Sequence, residues 1–418
     1  MLHLPAYREP ELIPTIEDAL AQAKYPKRIH FGICRQFHPD DEFDNIDKYR
    51  DDPRFKIKDI PYKEAKGLAY ARAVINDELL DDEDFVLQLD SHHRFTKHWD
   101  ETLLGWYDGL VEDGHNPLIC GYQPYYNPFN DPEDRVQEPW LSEAACFYPF
   151  GTIFIRPTGF PVDWEKLTKP VPARFLSGHF CFGPNKWARE VRHDPDLIFA
   201  GEEINLSVRS FTHGYDLFHP HKVVVWHATM REERDGILAW DEPTHSNLFW
   251  GIQEDGRAKI RQLLRVEDNG FDLTGYDLGT VRTLRDYEKY AGIHFKKKSF
   301  QRYTRDLGFP PNPVIEDEQE WEDSFMRSFY HLVDIQREYL PKDDYDFILV
   351  AFDDKKGTGI ESEIIGEDDP RLIEFLGKGT PIHYEKMSLV DREPYSVVYW
   401  AHSRERGWAE RYEIGIDN

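Results

Sequence analysis

The sequence predicts an α/β protein built on an open, mostly parallel sheet, followed by a small β-rich module. Three observations carry that prediction. Strand-like apolar runs alternate with amphipathic helical stretches over the first half of the chain, the pattern of a sheet covered on both faces. One such run, Phe85-Val86-Leu87-Gln88-Leu89, stops abruptly at Asp90-Ser91-His92, which delivers a carboxylate and an imidazole to the carboxyl edge of a sheet, where open α/β folds bind ligands. Beyond residue 340 the helical period gives way to short runs such as Phe347-Ile348-Leu349-Val350 and Ser396-Val397-Val398-Tyr399-Trp400, separated by Gly and Asp.

Taken in order, residues 10–24 place apolar side chains at helical spacing, with Thr15 as a cap. Residues 29–34 read as a buried strand and 40–53 as an acidic loop. Residues 63–80 form an amphipathic helix that feeds the strand ending at Asp90. A helix over 99–111 and a strand near Leu118-Ile119-Cys120 follow. Residues 121–150, rich in Tyr, Pro, Asn and Phe, read as a long loop whose aromatics are a sugar or acceptor platform or a packed flap. Residues 174–182 suggest a strand. Gly201-Glu202-Glu203 opens a helix over 200–213, and Val223-Val224-Val225-Trp226 is a strand that ends at His227. A basic and then proline-bearing stretch over 296–313 marks a boundary, and 318–338 reads as a helix. The expected division is therefore a ligand-binding α/β domain over 1–300, a linker and helix over 301–339, and the β-rich module over 340–418.

The 418 residues exceed one ordinary core. The formal net charge of −27 repels phosphate backbones and anionic membranes, which argues against nucleic-acid and membrane partners while leaving room for a local basic pocket. No stretch of about 18 apolar residues is present to span a bilayer. The four cysteines, Cys34, Cys120, Cys146 and Cys181, are widely spaced without a C-x-x-C, which reads as free thiols in a reducing compartment and argues against structural zinc. With no signal-peptide pattern at the N-terminus, the expected location is cytoplasmic.

Three potential metal ligands lie at strand ends: Asp90, His92 and His227. Carboxylate oxygen and imidazole nitrogen together suit a borderline divalent cation such as Mn²⁺, with positions left for substrate oxygens. A lone D-x-H is more often a polar turn than a metal motif, and His93, His98, His219 and His221 are read as structural or surface residues. Arg72, on the helix before the Asp90 strand, and Arg8, after the first strand, could each fork onto a diphosphate, although a surface ion pair is the commoner role for either. Glu202 and Glu203 at a helix start are explained by the helix dipole alone; they would also lie near a ligand if the helix begins at the site.

These residues resemble a known family. LQLDSHHRF, GEEINLSVRSFTHGYDLF and the strand ending at His227 are similar to the GT-A polypeptide glycosyltransferases. One branch is the mucin-type polypeptide N-acetylgalactosaminyltransferases. The closer branch is the cytoplasmic N-acetylglucosaminyltransferases that modify hydroxyproline, which AYREPELIPTIEDALAQA, YKEAKGLAYAR, ARFLSGHFCFGPNKWAREVRHDPDLIFAGEEI and YDLGTVRTLRDYEKYAGIHF also resemble. The resemblance spans residues 4–295. It implies a retaining transferase that takes a UDP-sugar, UDP-GlcNAc foremost and UDP-GalNAc or another UDP-hexose as the alternative, and passes the sugar to a protein or peptide hydroxyl. It places Mn²⁺ on Asp90, His92 and His227, Arg72 near the donor phosphates, Gly178-His179 in the sugar segment, and Glu202 at the Glu of a G-G-E-N motif. Departures are Glu9 in place of Asp in an S-Y-R-D motif, Glu203 in place of Asn, and His179 in the sugar segment. Ala239-Trp240-Asp241-Glu242 is weakly similar to a donor-closing loop.

Two readings from other classes remain on the sequence. A non-haem iron oxygenase also uses two His and a carboxylate, but in the order His-x-Asp and on all-β barrels. A sugar-binding protein without turnover would need no metal trio. The C-terminal module has three candidate roles: acceptor recognition, homodimer formation, or cover for the catalytic domain.

Overall fold

The structure, a computed structural model, describes residues 1–416 apart from 149, 198–200, 231–235, 238–245 and 391; for 246–252, 327–328 and 387–389 it describes the backbone. Strands β1 (Leu2–Tyr7), β2 (Phe31–Phe37), β3 (Phe55–Pro61) and β4 (Phe85–Leu89) run parallel in the order β3-β2-β1-β4. Helix α1 (Leu12–Gln22) connects β1 to β2, and α2 (Leu68–Val74) lies between β3 and β4. After β5 (His93–Phe95) and α3 (Trp99–Glu112) come β6 (Pro117–Cys120), the antiparallel hairpin β7 (Trp140–Phe147) and β8 (Ile153–Gly159), β9 (Val171–Pro172) and β10 (Phe180–Pro184). Helices α4 (Asn185–Glu190) and α5 (Glu202–Thr212), then β11 (Asp216–His219) and β12 (Val225–His227), complete this half. The sheet continues from β4 through β10, β6 and β11 to β9.

Helices cover both faces, as the apolar strands require. Leu12, Ile16 and Ala19 of α1 and Trp99 and Leu103 of α3 pack with Leu4, Ile33 and Leu87 on one side. Ala71 and Val74 of α2 pack with Cys34 and Ile60 on the other, where Trp187 and Leu206 also meet Cys120 and Cys181. All four cysteines are buried and unpaired.

Several expectations are corrected. The sheet is mixed: β10 runs antiparallel to β4 and β6, and β9 antiparallel to β11. β10 is entered through a tight turn closed by a Ser177–Phe180 bridge, so only residues 180–184 of the expected 174–182 run are strand. Apolar content shows that a strand is buried but not its direction. Thr15 is no cap, because α1 begins at Leu12 after Glu11. The helix expected over 63–80 starts at Leu68, after Gly67 at φ 103°, and widens into a π turn over Ile75–Leu79. Two strands lie where the sequence shows no strand period: β3, a charged edge strand buried mainly at its ends, and the hairpin strand β7, inside the expected loop 121–150.

The C-terminal part contributes β13 (Ile293–His294), β14 (Ser299–Gln301), β15 (Phe325–Ile335), β16 (Phe347–Asp353), β17 (Gly359–Gly366), β18 (Ile382–Val390) and β19 (Ser396–Ser403). The helix expected over 318–338 is short, Glu318–Asp323, and gives way to β15, which pairs along β18. Its inward side chains, Phe329, Val333 and Ile335, follow a period of two and join a core with Ile348, Val350, Tyr384 and Val397.

Candidate active site

Asp90 leaves the end of β4, and Ser91-His92 carries the chain into β5. β5 pairs antiparallel with β12, which sets His93 opposite His227. His227 therefore arrives on a two-stranded ribbon outside the main sheet. Thr15 holds this turn from below. Its Oγ1 accepts from the His93 N–H at 2.9 Å and lies 3.1 and 3.2 Å from the carbonyls of Ser91 and His93.

One ligand atom from each of Asp90, His92 and His227 lies within 4.8 Å of the others. The Nε2 atoms of His92 and His227 are 3.8 and 3.5 Å from Asp90 Oδ2. Their Nδ1 atoms have outer partners, Glu9 Oε2 at 3.0 Å for His92 and Thr229 Oγ1 at 3.2 Å for His227. Such partners fix ring orientation and leave Nε2 for a ligand role. The donor set, N₂O with both Nε2 atoms turned to one carboxylate oxygen, fits a divalent cation. Glu9 was missed as a functional residue; the available signal was a carboxylate two residues past a strand that neighbours β4.

Arg72 is fully buried and binds this cluster from α2. Its Nη2 donates to Asp90 Oδ1 at 2.7 Å, its Nη1 to the Leu89 carbonyl, and its Nε is 3.3 Å from Glu202 Oε1. Burial alone would raise the Asp90 carboxyl; the His227 hydrogen bond and the charges of Arg72 and His92 outweigh it and hold the group well below the usual carboxylate range. Burial likewise opposes ionisation of Glu202, and Arg72 and His193 overcome it. His193 continues the chain, 3.3 Å from Glu202 and 2.7 Å from Gln88 Oε1, while Gln88 Nε2 donates to the Gly178 carbonyl.

Gly178 and His179 lie where this network meets β12. A Cβ at Gly178 would stand 3.2 Å from Glu202 Oε2, so a side chain here would push the Glu202 carboxylate aside by a few tenths of an ångström. The His179 ring stacks on His227, with centroids 4.1 Å apart and planes 3° from parallel. His179 Nε2 accepts from the Gln123 N–H at 3.0 Å, which places the ring proton on Nδ1, against Ser177 Oγ at 2.9 Å. With both nitrogens engaged, His179 supports His227 rather than joining the ligand set. Arg8 forks onto Asp41, with contacts of 2.7 and 3.0 Å. The segment 239–242 lies outside the described residues.

Glu203 is half-buried, accepting from Tyr122 Oη at 3.1 Å and the Gly178 N–H at 3.2 Å. Burial, aided by the charge of Glu202, pushes its carboxyl up from 4.5 to about 7. Between those values the folded state keeps a proton that the unfolded chain has released, so this group's contribution to stability falls as pH rises through that window. Replacing Glu203 with Gln is expected to flatten the decline in melting temperature between about pH 5 and 7 relative to wild type. An unchanged slope would show that Glu203 is not the titrating group.

The sequence model of the glycosyltransferase (GlcNAc) family matches residues 44–297, more than half of the chain, and takes in Arg72, Asp90, His92, Glu202, Glu203 and His227 but not Glu9 or Thr15. No curated protein matches the sequence. Among solved structures, GalNAc-T7, crystallised with UDP, GalNAc and Mn²⁺, is similar over 100% of this chain and 72% of its own, with 12% identity and a TM-score of 0.51. TarS of S. aureus, crystallised with UDP-GlcNAc, is similar over 66% of this chain and 69% of its own, with 10% identity and a TM-score of 0.38. Among the described residues no helix is long and apolar enough to cross a membrane. The fold is of the GT-A type, and the chain belongs to the GlcNAc glycosyltransferase family.

Proposed function

We propose that the protein is a metal-dependent, retaining transferase that moves GlcNAc from UDP-GlcNAc to a hydroxyl of a protein or peptide. The observation that carries the reading is the convergence of Asp90, His92 and His227 beside the buried Arg72. Asp90, His92 and His227 would hold Mn²⁺ or another divalent cation, which supplies positive charge for the diphosphate oxygens of the donor and for the leaving UDP. The chain's own groups do the rest. Arg72 keeps Asp90 ionised and adds a fixed positive charge at the phosphate end. Glu9 orients His92, and the His179 ring backs His227. Of the two carboxylates on α5, Glu202 is spent on Arg72 and His193, whereas Glu203 is partly open and carries Tyr122 and Gly178 as partners. Glu203 is therefore assigned to the sugar hydroxyls, with Gly178 leaving room for the ring. Four buried thiols without a disulfide agree with a cytoplasmic location.

The test is UDP release from a panel of UDP-sugars, with Mn²⁺ and with EDTA. Release from UDP-GlcNAc that stops with EDTA is expected; metal-independent release, or release from UDP-GalNAc alone, would refute the cofactor or the donor respectively. Replacing Glu9 with Gln is expected to weaken Mn²⁺ binding by about 10- to 100-fold, the usual cost of losing a carboxylate behind a metal-binding His. Titration of the free protein with Mn²⁺, followed by electron paramagnetic resonance, reads this directly, and equal affinity would remove Glu9 from the site.

A further inference from the structure

Gln88 is the odd residue of the run that ends at Asp90. It is the one polar side chain of β4, among Phe85, Val86, Leu87 and Leu89, and it is 1% exposed. An amide buried in an apolar strand costs free energy unless both of its ends are hydrogen-bonded. The Gln88 amide holds two groups from distant parts of the chain. Its Nε2 lies 2.8 Å from the Gly178 carbonyl, 90 positions away. A carbonyl only accepts, so the amide nitrogen faces it and donates. Oε1 is thereby turned the other way, where His193 Nε2 donates to it at 2.7 Å. His193 is itself buried, and its other ring nitrogen stands 3.3 Å from Glu202 of α5. The His193 ring thus sets the orientation of the amide.

Gly178 is held from both sides. Its carbonyl accepts from Gln88, and its N–H donates to Glu203 Oε1 at 3.2 Å. The residue lies in the tight turn closed by the Ser177–Phe180 bridge, and as a glycine it has no side chain to restrict its dihedrals. The two hydrogen bonds supply that restraint. One fixes the peptide plane before Gly178 and the other the plane after it, and the first of these planes meets Glu203, the carboxyl assigned to the sugar hydroxyls.

We propose that Gln88 is a positioning residue for the donor sugar: it locks the Gly178 turn against Glu203, and His193 holds it in place. The proposal rests on the reading of the site as one for UDP-GlcNAc and extends it to a residue that acts through the Gly178 backbone. Calorimetric titration of the full chain with UDP and with UDP-GlcNAc, in saturating Mn²⁺ and without acceptor, tests it. Gln88→Met keeps the length of the side chain and removes both hydrogen bonds. Its affinity for UDP-GlcNAc is expected to fall about fivefold, the worth of one neutral hydrogen bond, while its affinity for UDP stays that of wild type. A general distortion of the site would move both ligands together. Equal loss for UDP, or no loss for UDP-GlcNAc, therefore overturns the role. A measurement on wild type guards against a variant that fails to fold. A ligand that needs the locked turn must also stabilise it, so hydrogen exchange of the Gln88 side-chain amide, followed by NMR, is expected to be slower with UDP-GlcNAc bound than with UDP bound. Equal rates overturn the proposal. The donor is tested separately by the wild-type titrations: UDP-GlcNAc that fails to bind where UDP binds refutes the donor reading itself, whereas a defect in the variant common to both ligands refutes only the positioning.

Discussion

Replacing Asp90 with Ala is expected to lower sugar transfer by at least about 10³-fold while the protein still folds. The loss exceeds that of a single oriented hydrogen bond at a reacting centre, because two contributions go together. Asp90 is the one anionic member of the trio, and His92 and His227 both direct Nε2 at its Oδ2. It is also the acceptor that fixes Arg72 Nη2, at 2.7 Å. The fold survives because Arg72 keeps its ion pair with Glu202 and its hydrogen bond to the Leu89 carbonyl. The measurements are UDP release with saturating Mn²⁺, Mn²⁺ affinity, and thermal melting. Near wild-type turnover in the variant would sink the assignment of Asp90 to the metal and to catalysis.

Replacing Arg72 with Met is expected to act mainly on stability. The side chain is wholly buried between two carboxylates, Asp90 and Glu202, that its charge keeps ionised. Removing one member of a buried charge cluster costs about 3–5 kcal/mol, because the remaining charges stay desolvated without compensation. The pH dependence is specific. In wild type, both carboxyls sit below their unfolded values, so their contribution is present above those values and fades as pH falls through the folded ones. In the variant they would rise and take up protons, so the deficit should be largest near pH 7 and shrink toward pH 4. Urea unfolding at the two pH values measures this; equal stability of Arg72→Met and wild type at pH 7 would contradict the geometry. Lys at 72 should recover only part of the loss, since one ammonium cannot reach Asp90, Leu89 and Glu202 together as the planar fork does.

Legibility in the sequence followed the range of the interactions. Asp90 and His92 could be read because a local pattern, an apolar run ending in polar ligands, places both at one strand end. Arg72 stood on a recognisable helix one element away, although nothing local showed that it would be buried or which carboxylates it would face. Glu9 could not be assigned, because its role depends on β1 lying beside β4, a pairing between residues more than 80 positions apart. His179 was marked through a family resemblance, but its task of backing His227 exists only because β12 pairs with β5. The helix expected over 318–338 failed because Phe325–Ile335 carries enough apolar residues to suit either period, and pairing with β18 decided for strand.

What the sequence determined by itself was the α/β class, the strand that ends at Asp90, the helix opening at Gly201 and the chemical types of the three candidate ligand side chains. These rest on period, turn chemistry and residue type, which act over a few positions. The tertiary structure alone decided the mixed direction of the sheet, the ribbon that brings His227 to Asp90, the burial of Arg72 between two carboxylates and the raised carboxyl of Glu203. Each of those depends on what lies across a strand pair or a packed face, and the energy of a charge depends on that surrounding rather than on its neighbours in the chain.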